Sequence, residues 1–350
     1  MRTRADLTTL VLTKLADTAQ TYFAASAVTY AIDESLKEFS QTFPHIVLAT
    51  FKIESRSGTA TSTSAGNLID TTKSQFLAAD ATNEKVIHNT TDDTRAVVKT
   101  CNSTSSLALS VDIMALGENY EIYNTRCTNN HQIYIGDFPN WIGIERIEYP
   151  QGSRRNWEEI INKQVVELDI DSVYDSNSTL TPLPQVDVYV YFRLTHVLTP
   201  LTDTSATLGA TAAVSATTLA MSSLQTSGTI TAGDEFFMAG QRTAYVVTAN
   251  TAIASNTSTI TFWPPLEANI SSSATIATFV QSSLKQPHEE LFADLVTANL
   301  ALYAAPKYIP GINITGANTW QEYITLGERL RARVDARMRP FRQTTIYSRG

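Results

Sequence analysis

Cysteine is nearly missing from this chain. Two in 350 residues, Cys101 and Cys127, are too few for a disulfide framework or a Cys-based zinc site. They could pair with each other, although two thiols is the preferred reading. Long apolar runs are missing too. No stretch reaches the roughly 18 residues that a membrane-spanning helix needs. The opening Met1-Arg2-Thr3-Arg4-Ala5-Asp6 leads into an amphipathic segment without the apolar core of a signal peptide. A soluble protein made in a cytoplasm is therefore expected. A basic excess is absent: the net charge of −8 argues against nucleic-acid binding by the chain as a whole. With 43% hydrophobic and 17% charged residues the composition is that of an ordinary globular protein, and 350 residues suggest two or three cores.

Catalytic patterns are missing as well. There is no Gly-x-x-x-x-Gly-Lys-Ser/Thr phosphate loop, no Gly-x-Gly-x-x-Gly after a strand and no Gly-x-Ser-x-Gly elbow. The histidines His45, His88, His131, His196 and His288 are scattered, and none has a second at helical metal-site spacing. Asp169 and Asp171 could share one side of a strand, but a solvated strand end explains them better. His288-Glu289-Glu290 reads as a helix start, where the carboxylates suit the dipole. Asn89-Thr90-Thr91 matches a glycosylation sequon, which means little without a secretory signal. No catalytic, cofactor-binding or metal residue is expected, and no enzymatic activity.

What is present is a helical pattern at both ends. Residues 3–42 read as two amphipathic helices. Thr3 and Asp6 form a possible capping box, with Leu7, Leu10, Val11 and Leu15 on one face. Ile32, Leu36, Phe39 and Phe43 repeat at helical spacing in the second helix, and Pro44 stops it. Residues 287–339 read as two more. Pro287 suits a first helical position, followed by a stripe of Leu291, Leu295, Val296, Leu302 and Tyr303. Asn318 and Gln321 have capping-box spacing before Trp320, Tyr323, Leu330, Val334, Met338 and Phe341, and Pro340 limits that helix. Short helix pairs do not stand alone in water, so the two ends are expected to pack as one bundle.

Strands fill the middle. Val47, Ala49, Phe51 and Ile53 alternate with polar neighbours. Residues 185–199 alternate more clearly, with Val186, Val188, Val190, Phe192 and Leu194 on one side. Weaker strands are expected over 131–135, 141–149 and 164–170. Two blocks, 56–130 and 201–282, are rich in Ser, Thr, Ala and Asn with short β-like runs, each the size of a small barrel or sandwich. The expected class is α+β and multi-domain. A discontinuous core of 1–55, 131–200 and 283–350, a small helical bundle with strands, carries two inserted all-β modules at 56–130 and 201–282. Each module should project from the core and be removable.

Charge is concentrated at the C-terminal end. Residues 328–350 hold seven Arg against Glu328 and Asp335, a local +5. The run Arg329-Leu330-Arg331-Ala332-Arg333, with Arg337, Arg339 and Arg342, reads either as a solvated helix face or as a basic surface for an acidic protein or passing DNA.

Four segments resemble one family. Asp6 to Leu15 and Tyr30-Ala31-Ile32-Asp33-Glu34-Ser35-Leu36-Lys37-Glu38-Phe39-Ser40 before Pro44 resemble the opening helices of head–tail connector (adaptor, or head-completion) proteins of tailed bacteriophages. Ile144-Glu145-Arg146-Ile147-Glu148-Tyr149-Pro150 resembles the strand after that family's central loop. Val188-Tyr189-Val190-Tyr191-Phe192 with His196 resembles its next strand. Residues 289–308 and 320–341 resemble its closing helices. Together these cover about half the chain, carried by order and spacing. The two β blocks depart from the simple family pattern.

The resemblance implies a structural virion protein without cofactors. Family members form a homo-oligomeric ring, usually twelve-fold, under the portal protein. They extend the channel through which genomic DNA passes and dock a tail or tail-completion protein, away from membranes. Location in the virion neck follows. The portal-binding residues would be Arg331, Arg333, Arg337, Arg339, Phe341, Arg342, Ile346, Tyr347 and Arg349. A rival reading is a carbohydrate- or receptor-binding virion protein that uses the β modules.

Overall fold

The computed structural model describes residues 3–54, 56–82, 85–124, 126–136, 138, 141–160, 164–170, 185–202, 204–214, 216–241, 243–266, 268–271, 276–303 and 317–342. The chain opens with α1 (Arg4–Lys14) and α2 (Ala25–Thr42). The Thr3 hydroxyl accepts from Asp6 N–H while the Asp6 carboxylate accepts from Thr3 N–H, which caps α1 as the sequence predicts. Between the helices, one buried carboxylate, Asp17, accepts from the backbone N–H groups of Thr21, Tyr22 and Phe23 and fixes the turn.

β1 (His45–Glu54) enters the first block, which contains β2 (Ser57–Thr59), β3 (Ser62–Ser64), β4 (Asn67–Ile69), α3 (Ala79–Thr82), β5 (Val86–Asn89), β6 (Thr94–Ser103), β7 (Ser106–Leu109) and β8 (Asn119–Tyr123). Then come β9 (Gln132–Tyr134), β10 (Trp141–Glu148), β11 (Arg154–Arg155), β12 (Trp157–Ile160), β13 (Val165–Leu168) and β14 (Gln185–Leu194). The second block holds β15 (Ser205–Leu208), β16 (Thr218–Ser222), β17 (Ser227–Ile230), β18 (Glu235–Met238), β19 (Ala244–Val247), β20 (Thr251–Ala254), β21 (Ser258–Trp263) and β22 (Ile276–Phe279). The chain returns to helix in α4 (Gln286–Leu302) and α5 (Ala317–Arg342).

Strand outweighs helix, 39% to 25%, with a closed six-stranded barrel and a half-barrel, so the expected α+β class built on a small helical bundle is overturned. The physical reason lies in the Ser/Thr-rich blocks. Their strands are mostly three to five residues long, too short for a period of two to stand out in sequence. Expected as appendages to a helical core, they hold most of the strand residues. The helix ends also differ. The backbone is helical from Ala317, so Asn318 lies inside α5 and is not its cap. Pro340 is inside the last turn, and α5 runs on to Arg342. So close to a terminus a proline costs only one backbone hydrogen bond, which explains why it does not stop the helix.

The chain divides into two compact units. The first comprises Met1–Val47, Pro139–Gly143 and Phe192–Gly350. In it α1, α2, α4 and α5 share one buried cluster, with Leu7, Val11, Ile32, Phe39, Phe292, Leu295, Val334 and Met338 at its centre. Gly327 of α5 lets two helices approach: a Cβ there would lie 3.0 Å from Leu302 Cγ and 3.1 Å from the Ala298 carbonyl oxygen, both on α4. The same unit holds the barrel, in the order β15-β16-β21-β19-β18-β22, closed by pairing of β22 with β15. Closure leaves the barrel no free edge. Its centre is aromatic, with Phe236 5.5 Å from each of Tyr245, Phe262 and Phe279. The turn over 231–234 does not join a hairpin, because β17 pairs with β20 while β18 pairs with β19 and β22.

The second unit comprises Leu48–Phe138 and Ile144–Tyr191. Its half-barrel is a seven-stranded sheet in the order β2-β8-β5-β6-β7-β4-β3 over a core including Leu68, Phe76, Ile87, Val98, Leu107 and Ile122. A smaller sheet runs β12-β13-β9, and β1, β14, β10 and β11 form a four-stranded one. At the root of the half-barrel Arg56, almost wholly buried, reaches both oxygens of Glu54 and both of Asp80 at 2.7–2.8 Å. Buried charges persist only when paired and hydrogen-bonded in this way. Cys101 and Cys127 carry thiols whose Sγ atoms approach the carbonyls of Ser103 and Gln132.

Candidate functional site

The basic segment falls on the second half of α5. Val334 and Met338 sit in the helical cluster and Leu330, one turn earlier, is buried too, while Arg329, Arg333, Arg337 and Arg339 are exposed. The arginines predicted as one surface divide into two sets. Arg331 donates to both oxygens of Glu38 on α2, to Asn299 Oδ1 at 2.9 Å on α4 and to Asp335 at 3.4 Å. The Glu38 hydrogen bonds raise its pKa further. Arg333 donates to Asp294, a carboxylate only 1% exposed that also accepts from Lys14 at 2.9 Å. Arg331 and Arg333 are thus bound within their own subunit.

Arg337 and Arg339 are exposed and make no ion pair with the described residues. Phe341 is 54% exposed and lies against Phe43, ring centroids 4.8 Å apart. The side chain of Arg342 and all of Ile346, Tyr347 and Arg349 lie outside the described residues. A sequence reading could not separate the two sets of arginine, because Glu38 and Asp294 are far from α5 along the chain.

The aromatic contact at Phe341 continues inward. Phe43 lies tilted against His288 at 4.6 Å, His288 meets Phe39 at 5.9 Å, Phe39 meets His196 at 5.8 Å, and His196 stacks on His45 at 5.8 Å with 25° between planes. His45 Nε2 then lies 2.5 Å from Glu235 Oε2, a carboxylate on β18 of the barrel that is 3% exposed. Three histidines that look scattered in sequence therefore share one site. His196 is its buried centre. Its backbone N–H donates to Ser40 Oγ, its Nδ1 is 2.9 Å from Ser283 Oγ, and its Nε2 is buried without a hydrogen-bond partner. Burial, reinforced by the neighbouring His45, pushes the His196 pKa down to about 4. Burial also lowers that of His288 and raises that of Asp234, next to Glu235.

Two clefts stand out. One of about 510 Å³ in the first unit is lined by Arg4, Asp33, Trp141, His196 and Asp234 among others. Arg4 spans part of its wall by donating to Asp33 at 2.6 Å and to the Leu198 carbonyl. The other, about 740 Å³, is an open polar groove on the half-barrel near Ser57, Thr59, Asp70, Lys73, Asn119 and Tyr120. Its buried groups satisfy one another: Tyr120 O–H donates to Asp70 Oδ2 at 2.7 Å and accepts from Gln75 at 2.8 Å.

Of the sequence candidates for chemistry, Asp169 is an exposed strand end and Asp171 lies outside the described residues. His288 and Glu289 occupy the first turn of α4, as their spacing predicts. Among the described residues no group of three or more His, Cys, Asp or Glu is placed to hold a metal ion. No described helix is long and apolar enough to cross a membrane. No family model matches the chain, and neither a curated protein nor a solved structure is similar to it.

Proposed function

We propose that the chain is a structural virion protein, a head–tail adaptor that forms a ring beneath the portal, extends the DNA channel and docks the tail. It would have no catalytic role. The observation that supports this best is the division of labour among the α5 arginines. Arg331 and Arg333 tie α5 to α2 and α4 by charge-assisted hydrogen bonds. That rigid base carries Arg337, Arg339 and half-exposed Phe341 outward, just before the segment 343–350. Exposed guanidinium groups suit bidentate contacts to carboxylates, and an exposed aromatic one turn beyond Arg337 suits the core of an interface. An acidic portal surface is the partner this end fits. The family resemblance of the helical ends supplies the same orientation, with the closing segment toward the portal.

The rival reading, a carbohydrate- or receptor-binding protein, has only the groove of the half-barrel in its favour, and the buried polar groups there are already paired.

The test is incorporation into particles. Arg337→Glu with Arg339→Glu should cut the amount of this protein on purified heads at least tenfold, with an unchanged circular dichroism spectrum. Truncation after Arg342 should do the same. Normal incorporation of both variants would remove this end of α5 from the docking surface.

A further inference from the structure

We infer that the His45–His196–His288 cluster is an acid-sensitive latch. It holds the barrel strand β18, the start of β1, the segment 195–199 and the first turn of α4 together while His196 is neutral, and lets them part when His196 takes a proton. This inference is independent of the docking function.

The latch is built from groups far apart in the chain. Segment 196–199 runs antiparallel to 281–283, with Ser283 N–H donating to the Val197 carbonyl and Thr199 N–H to that of Gln281. Ser283 Oγ meets both His196 Nδ1 and Val197 N–H, at 2.9 and 2.8 Å. Ser40 Oγ, donating to the Leu36 carbonyl, anchors the His196 backbone to α2. His45 bridges from the stacked His196 ring to Glu235 on the barrel.

The charges facing His196 make it intolerant of a proton. Repulsion from His45 and from His288 adds to burial in disfavouring the charged form of His196, and Lys285, just before α4, acts on His288 in the same sense. Glu235 is occupied by His45, Asp234 by the backbone and side chain of Thr231, and Glu289 sits in the first turn of α4. Arg4, Asp33 and Lys37 line the adjoining cleft, where Arg4 and Asp33 pair with each other. A proton on His196 creates a second N–H donor and a full charge. Nε2 makes no hydrogen bond, and the backbone of Phe43 and Ser283 favours the charged form by less than burial opposes it. Such a group gains by moving into water.

The sign follows from linkage. The folded-state pKa of His196 is depressed, to about 4 from 6.5. The closed latch is therefore at full strength above pH 6.5 and weakens as pH falls toward 4. One proton taken up on opening makes the opening constant rise about tenfold per pH unit across that window.

Hydrogen exchange of the full chain between pH 7 and 4.5, corrected for intrinsic rates, tests this. Protection in 43–47, 195–199, 235–238 and 286–292 should fall about fortyfold between pH 6.5 and 4.5. The half-barrel should keep its protection. His196→Phe, which preserves a ring against Phe39 and cannot be protonated, should abolish the fall. Equal loss in that variant, or uniform loss over the whole chain, would overturn the latch. If His196→Phe does not fold, the wild-type protein labelled with ¹³C-histidine decides. A His196 resonance that titrates below pH 5 together with shifts in these four segments supports the latch. Titration near 6.5 without such shifts refutes it.

Discussion

Arg331 and Arg337 lie on the same helix and do different work. Arg331 is about a third exposed and touches three other side chains, while Arg337 touches no described acid. Hydrogen bonds to charged groups contribute roughly 1.5–3 kcal/mol when buried and less when solvent competes. Arg331→Glu should therefore lower stability in urea by about 1–2 kcal/mol, because it also sets three carboxylates near one another. Arg337→Glu should stay within about 0.5 kcal/mol of the wild type. Equal effects of the two substitutions would show that the contacts of Arg331 to Glu38 and Asn299 do not persist in solution. Residue-level chemistry of this kind was only half legible in the sequence. The excess of arginine on α5 was visible. Which arginines were already used depended on Glu38, Asp294 and Asn299, brought in by folding. The histidine cluster was invisible for the same reason, since His45, His196 and His288 share no local spacing.

Elements with a strong period were legible. α1, α2 and α4 begin where their caps or apolar stripes place them, and β1 and β14 bury the alternate residues expected. Local chemistry decides such elements, and both the 3.6 and 2.0 periods are strong there. The α5 boundaries were less legible, because cap chemistry at Asn318 and the stop at Pro340 describe tendencies that a long packed stripe overrides. How closely α4 and α5 approach could not be read, since it depends on a glycine. Alanine is the better helix former by roughly 1 kcal/mol, yet its Cβ at position 327 would press on the α4 backbone at 3.1 Å. Backbone cannot yield cheaply, and overpacking costs roughly 1–3 kcal/mol. Gly327→Ala should therefore lower the urea midpoint despite its higher helix propensity. A raised midpoint would mean that α4 and α5 are packed less closely than described.

At the scale of the whole molecule the reading of the sequence went astray on proportion. The long terminal helices drew attention because their signals are strong, whereas the described strands, mostly three to five residues long, give weak signals one at a time. The pairings of β22 with both β15 and β18 are set by closure of the barrel, and β17 pairs with the distant β20 in a separate two-stranded sheet, so neither is set by a neighbouring turn. The result is a mainly β chain whose helical ends meet in one buried cluster, with the outward arginines on the last helix. An adaptor needs a site at the portal vertex more than it needs any particular fold class. Electron microscopy with gold-labelled antibody against this chain, applied to particles from cells that produce it, locates it directly. The expected result is label at a single vertex, between head and tail. Label on peripheral fibres or over the whole capsid surface, or none on any particle, would contradict an adaptor function.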